Sequence, residues 1–197
     1  MDLNFDFFHV EPKDHKVGKG RVLISEPFLS DQYFKRSIVF LVEHNEEGSV
    51  GFILNKPVHI ALSELLKNFP DAEVSVSLGG PVATNTVHYI HTLGERIPNS
   101  MQVFHDIYWG GDFNTVKELL NGGLIRPGQI RFFVGYSGWM PRQLENEIHE
   151  NSWLVTRVDP ATIMSCSDRE EWRAVLRKMK DKKYRLWADF PENPANN

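Results

Sequence analysis

The chain has one cysteine, Cys166, in 197 residues. That excludes an internal disulfide framework and any zinc site built from cysteines, and it fits a reducing compartment. No run of residues approaches the about 18–20 consecutive apolar positions of a membrane-spanning helix. The opening residues Met1 to Phe8 carry acids where a secretory signal would be basic. The cytoplasm is therefore the expected location, with no membrane partner. Nucleotide signatures are also missing. Gly18-Lys19-Gly20 is too short for a Walker A loop and lacks the Ser/Thr that would hold magnesium, and no Gly-x-Gly-x-x-Gly opens a helix after a strand. No cofactor is expected.

What remains is an ordinary globular composition, 41% hydrophobic and 24% charged, long enough for one domain with its own core. Residues 1–19 read as a lead-in with apolar anchors at Phe5, Phe7 and Phe8. Residues 20–188 read as the domain, and residues 189–197 as a Pro/Asn-rich, loosely ordered tail. The net charge is −4, but Arg169 to Arg185 carries a local excess of +5, leaving −9 for the rest. A basic helix there offers Arg169, Arg173, Arg177 and Lys178 as nucleic-acid contacts. A solvated face, or packing against the chain's own acids, is the favoured reading.

Apolar periodicity predicts strands at Arg21–Ser25, Ser37–Glu43 and Val50–Asn55, the last two joined as a hairpin through His44 to Gly48. Leu62, Leu65, Leu66 and Phe69 have helical spacing, stopped by Pro70. Further strands are expected at Glu73–Leu78, Thr86–His91, Met101–Phe104, Ile130–Val134 and Trp153–Val158. Asp112 is a good cap for a helix through Leu120, and Ser167 with Glu170 suggests a capping box ahead of Trp172, Val175, Leu176 and Met179. Strands and single helices mixed in this way predict an α+β fold: a compact single domain with a mixed, largely antiparallel sheet and several short helices.

The most informative stretch is Gly135-Tyr136-Ser137-Gly138-Trp139-Met140-Pro141-Arg142-Gln143-Leu144-Glu145-Asn146-Glu147. It reads as a Gly-rich turn after an apolar strand, opening a short acidic helix with Pro141 in its first turn. Ser137 is a poor nucleophile candidate, because an elbow needs a second glycine where Trp139 stands. Gln143 and Glu147 are four apart and share a helix face, so with Trp139 they form a candidate pocket wall. Pairing of these two with backbone near the turn is the competing and favoured reading. Asn55, Lys56, Gly79 and Gly80 complete the candidate ligand-binding set, the glycines as backbone donors for an anion and Lys56 as the charge. His88 and His91, three apart on a strand, point to opposite faces and are not a metal pair. No metal site is expected. His105-Asp106 reads as a solvated loop pair. Cys166, ahead of the capped helix, is better read as a quiet thiol than as a reactive one.

Three blocks, Gly51 to Pro57, Leu78 to Val82 and Gly135 to Glu147, stand in an order and spacing that resembles the AlgH/YqgE family of bacterial proteins. Gly20 to Pro27 and Phe34 to Val39 resemble its earlier segments, and the similarity covers about Gly20 to Val158, with a looser match through Trp172 to Leu176. The resemblance implies a compact α+β fold with a mixed sheet. It brings no catalytic residues; some relatives carry the label of transcriptional regulator without a recognisable DNA-binding motif. Relatives usually read Gly-Tyr-Ala-Gly-Trp and then Gly-Gln-Leu-Glu; here Ser137 replaces the alanine and Arg142 the second block's glycine. The glycine usual after the final helix is replaced by Lys180. The expected function is a noncatalytic binding or regulatory module, a monomer or small homo-oligomer with a small-molecule or protein partner. The alternatives are an enzyme acting on a small phosphorylated or nucleotide-like ligand, and a DNA-binding regulator using the basic C-terminal segment.

Overall fold

The structure is a computed structural model that describes residues 16–191. The anchors Phe5, Phe7 and Phe8 and the end of the tail lie outside them. The described residues form strands β1 (Val22–Ser25), β2 (Ile38–Asn45), β3 (Gly48–Ile53), β4 (Ser75–Leu78), β5 (Val82–His91), β6 (Met101–Phe104), β7 (Ile107–Trp109), β8 (Ile130–Trp139) and β9 (Trp153–Thr156). The helices are α1 (Leu62–Leu65), α2 (Phe113–Asn121), α3 (Gln143–His149), α4 (Pro160–Ser165), α5 (Glu171–Arg177) and α6 (Lys182–Trp187). One sheet runs β6-β7-β5-β8-β3-β2-β1-β9, with β4 joined to β8 off this path. All pairings are antiparallel except β4 with β8, so the sheet is mixed and largely antiparallel, as the sequence suggests.

β8 is the hub. Its first half lies between β4 (Ser75↔Arg131 to Leu78↔Val134) and β5 (His91↔Ile130 to Val87↔Val134). Its second half pairs with β3 (Gly51↔Ser137 to Ser49↔Trp139). The change of partner falls at Gly135, whose φ of 66° is a conformation that L side chains adopt at a cost. A Cβ there would come within 2.7 Å of the Val82 carbonyl oxygen. The segment expected as a turn is therefore strand through Trp139, because a glycine bend lets the ladder continue on a new neighbour instead of ending.

Both faces of the β1–β2–β3–β9 region are covered, so the four residues of β1 are all buried. Leu23, Val39, Leu41 and Ile53 pack with Trp139, Trp153 and Leu144 of α3 on one face. Val22, Ile24, Phe40 and Phe52 pack with Ile163 of α4 and with Trp172, Val175 and Leu176 of α5 on the other. The alternation along β1 and β2 is the period-two pattern that directs successive side chains to opposite layers. A third cluster puts Leu62 of α1 and Val116 of α2 on Val76, Tyr89 and Phe132. On the α4 side, Arg131 is 1% exposed. Its guanidinium donates to the carbonyls of Ile163 and Leu54 and to Ser77 Oγ, and lies 5.4 Å from the Phe133 ring centroid.

Several local expectations change. The helix from Leu62 is a single turn, ending at Leu65. The basic stretch is two short helices, because Asp181 accepts the Lys183 N–H and starts a new one. The expected Ser167–Glu170 box does not cap α5; Glu170 is its N-cap and makes no side-chain cap bond, while Asp168 Oδ1 accepts the Glu170 N–H. α3 starts at Gln143, after Arg142 in the left-handed region at φ 64°, so Pro141 precedes the helix. Arg142 is where the resemblance implies a glycine. Asp112 caps α2 as expected, accepting from the N–H groups of Asn114 and Thr115.

His91 is fully buried; its Nδ1 accepts the Leu93 N–H, so its Nε2 holds the proton donated to the Gly110 carbonyl at 3.1 Å. Burial holds His91 and the half-buried His88 below the ordinary histidine value of 6.5. Just below that pH the unfolded chain binds more protons than the folded one. Stability carried by the neutral rings is present above it and is lost as pH falls through it. Urea midpoints of the wild type are expected to decline as pH falls below about 6.5. They should decline less in His88→Gln/His91→Gln; equal slopes would show that other groups carry the dependence.

Candidate functional site

The strand-to-helix corner is built around one carboxylate. Glu147 Oε2 accepts from Trp139 Nε1 at 2.9 Å and from Trp153 Nε1 at 2.7 Å. Its Oε1 accepts from Gln143 Nε2 at 2.9 Å, and Gln143 Oε1 accepts the Met140 N–H at 3.0 Å. Phe34 stacks on Trp139 with ring centroids 5.7 Å apart and meets Trp153 edge-on at 5.4 Å. The structure thus brings Trp139, Gln143 and Glu147 together, as their spacing implies. Trp139 and Trp153 are 5% and 4% exposed, so the carboxylate is occupied in holding two buried indoles. Gln143 serves a turn backbone group, the competing reading of the sequence.

Asn55 stands apart from this cluster in its bonding. It is fully buried, donates to the Arg36 carbonyl and accepts the Ile38 N–H, each at 2.9 Å. Both ends of its amide are taken up by the backbone. Gly79 and Gly80 lie against β8, where a Cβ on either would sit 2.3 Å from a carbonyl oxygen, that of Gly135 or Tyr136. The Gly79 N–H donates to Val134 O at 2.8 Å, so that donor is used in the sheet instead of facing a ligand. Ser137 is buried, and its hydroxyl donates to Gly79 O at 2.9 Å. Cys166 is 1% exposed, and burial pushes its thiol up to about 12, which keeps it protonated and quiet.

The basic segment divides. Trp172, Val175 and Leu176 of α5 face the core, Arg177 meets Asp189 at 3.6 Å on the surface, Arg173 is half-buried and Lys178 is exposed. Arg169, in contrast, joins Lys56 at one concavity. A pocket of about 230 Å³ is lined by Gln32, Lys35, Arg36, Lys56 and Arg169. The sequence marks Lys56 and Arg169 for different reasons. It does not mark Lys35 and Arg36, and the Lys-Arg pair ahead of β2 is the signal that points to them. A second concavity, a groove of about 450 Å³, has Glu43 and Glu47 on its rim and Val50, Tyr136, Trp139 and Met140 along it. Among the described residues no group of three or more His, Cys, Asp or Glu is placed to hold a metal ion, and no helix is long and apolar enough to cross a membrane.

Comparison with known proteins agrees with this architecture. The AlgH-like family model matches residues 22–184. A protein of Bacteroides fragilis named UPF0301 protein BF2109 is 40% identical over 198 residues, covering the whole of both chains. A UPF0301 protein of Chlorobium limicola is 39% identical over 92% of this chain and 97% of its own. Among solved structures, the AlgH protein of Pseudomonas aeruginosa superposes with a TM-score of 0.69 at 26% identity, over 87% of this chain and 94% of that one. Protein DIP2367 of Corynebacterium diphtheriae gives a TM-score of 0.70 at 22% identity, over 89% and 93%, a likeness of fold.

Removing the carboxylate by Glu147→Ala leaves two buried indole N–H groups without their acceptor and is expected to cost about 2–4 kcal/mol. Ser137→Ala loses one hydroxyl bond to a carbonyl that also accepts the Ile53 N–H, and should cost about 1 kcal/mol or less. Urea denaturation checks both; a Glu147→Ala cost no larger than that of Ser137→Ala would remove the clamp role.

Proposed function

From the premise that the chain belongs to the AlgH-like family, we propose that it is a noncatalytic binding module whose protein partner docks in the groove beside the Gly138–Pro141 corner. The observation that carries this reading is the division of labour at the corner. Glu147, Gln143 and Ser137 are tied to the chain's own donors and acceptors. Its outward residue Met140 is 75% exposed at the edge of the groove. A flexible thioether beside aromatic walls suits an apolar anchor. Glu43 and Glu47 on the rim suit a basic residue flanking that anchor, through contacts that favour encounter and register. The partner chemistry is therefore a segment with one apolar anchor next to lysine or arginine.

Two observations support binding over turnover. The buried thiol is held in its neutral form, and the one serine in the family motif donates its hydroxyl to a backbone carbonyl. Direct DNA binding through the C-terminal segment draws less support, since α5 and α6 divide the basic residues and α5 turns its Trp172 face inward.

A photo-crosslinking residue placed at Met140 is expected to give a discrete adduct in the source cells, and one at exposed Leu124 is not. The adduct should be lost with Glu43→Lys/Glu47→Lys. No adduct, or one that survives charge reversal, would remove this reading.

A further inference from the structure

The concavity lined by Lys56 and Arg169 is opposite in sign to that groove and is built by different elements. The loop between β1 and β2 is shaped by Asp31, whose Oδ1 accepts the N–H groups of Tyr33 at 2.8 Å and Phe34 at 3.1 Å. The Lys35 N–H closes the turn on Asp31 O at 2.8 Å. Asn55 then fixes the end of this loop through the Arg36 carbonyl and the Ile38 N–H. The residue after Asn55 is Lys56, so one buried amide sets the loop against the strand end that carries the ammonium. Lys56 Nζ donates to the carbonyls of Gln32, at 3.0 Å, and Tyr33. An ammonium has three donors, and these two bonds leave one for a ligand. From a third chain segment, between α4 and α5, Arg169 brings an exposed cation to the same pocket as half-buried Lys56. The Arg36 guanidinium lies 4.9 Å from the Trp172 ring centroid and donates to Phe190 O at 2.7 Å.

Gathering Lys35, Arg36, Lys56 and Arg169 around about 230 Å³ has an electrostatic cost. Burial first, and then the Arg169 charge, hold the Lys56 ammonium below the ordinary lysine range, with Asp31 opposing. A bound dianion would reverse that cost. The volume lies below the about 300–1,000 Å³ of pockets that enclose a whole drug-sized ligand. It suits one small polyoxygen anion or the terminal group of a larger molecule. Cations arriving from three chain segments match the several acceptor oxygens of a phosphoryl group better than the two of a carboxylate. The cations also surround a recess instead of lining a stripe, which separates this site from a backbone-tracking nucleic-acid surface.

The geometry points to a phosphate-binding site in the pocket of Lys35, Arg36, Lys56 and Arg169, which takes inorganic phosphate, pyrophosphate or the terminal phosphate of a small ester. It is independent of the groove proposed for a protein partner. The test is amide chemical-shift titration of the full chain with inorganic phosphate, pyrophosphate and citrate, each at ionic strength matched with sodium chloride. The expected result is saturable binding of both phosphates, with shifts centred on residues 32–36, 56 and 169, and at least tenfold weaker binding of citrate. Lys56→Gln should weaken phosphate at least tenfold. Arg169→Gln should weaken it severalfold, and because Arg169 is exposed its loss does not disturb the core. Lys180→Gln, an exposed basic residue of the same segment but not of the pocket, should leave the affinity unchanged. Any of three results would overturn the proposal: no saturation by either phosphate, citrate bound as well as phosphate, or Lys180→Gln weakening binding as much as Arg169→Gln. A phosphate preference over pyrophosphate would assign the site to a monoester group, and the reverse to a diphosphate.

Discussion

A buried arginine holds the layers in register. Charged side chains are seldom fully buried without an opposite charge. Arg131 sits at 1% exposure in the central strand, yet its bonds go to neutral oxygens: two carbonyls and one hydroxyl. Those acceptors come from α4, from the residue after β3 and from β4. Burial lowers its pKa to about 10, which leaves it charged at neutral pH. The cation therefore imposes a constraint, since three separate elements must arrive together to solvate it. The parallel placement of β4 beside β8 supplies Ser77, and the run from β3 into Leu54 supplies a carbonyl on the same side. These bonds serve the two terminal nitrogens of the guanidinium, while its buried Nε makes no hydrogen bond among the described residues.

On the opposite face, aromatic contacts link the strand-to-helix corner to the surface loop. Glu147 holds Trp139 and Trp153, and both indoles hold Phe34. Phe34 immediately precedes Lys35 and Arg36, which line the cationic pocket. The corner that identifies the family and the loop that gathers the cations are thus one packed unit. The acidic groove shares Trp139 with the same unit. Residues that look like ligand contacts in the sequence, Asn55 and Glu147 above all, do positioning work one step behind the surface.

The elements legible in the sequence are those whose determinants are local. The β2–β3 hairpin follows from two apolar runs flanking His44 to Gly48, and α2 from Asp112 and the apolar stripe behind it. The pairing of Gln143 with Glu147 follows from four-residue spacing. What escapes has non-local causes. Gly135 looks like turn punctuation, but its role depends on β4 and β3 meeting where the strand changes partner. The apolar spacing at Leu62 to Phe69 suggests a longer helix, but those residues are apolar because they cover Phe132 and Tyr89, which does not require helix. The pocket joins residues 35, 56 and 169, and no local pattern connects them. Arg131 leaves a trace, a single charge inside an apolar run, whose meaning needs the three acceptors.

The placement of β1 sets an order of assembly during synthesis. Chains emerge from the ribosome N-terminal end first. β1 pairs with β2 on one edge, which is available early, and with β9 on the other, which is made more than a hundred residues later. Trp172 Nε1 donates to Ser25 O, and Arg36 donates to Phe190 O, so α5 and the residues after α6 also close on β1 and the loop that follows it. Until β9 is made, the nascent chain therefore carries an open strand edge at β1. Its sealing waits for β9, and the final position of Arg36 waits for Phe190.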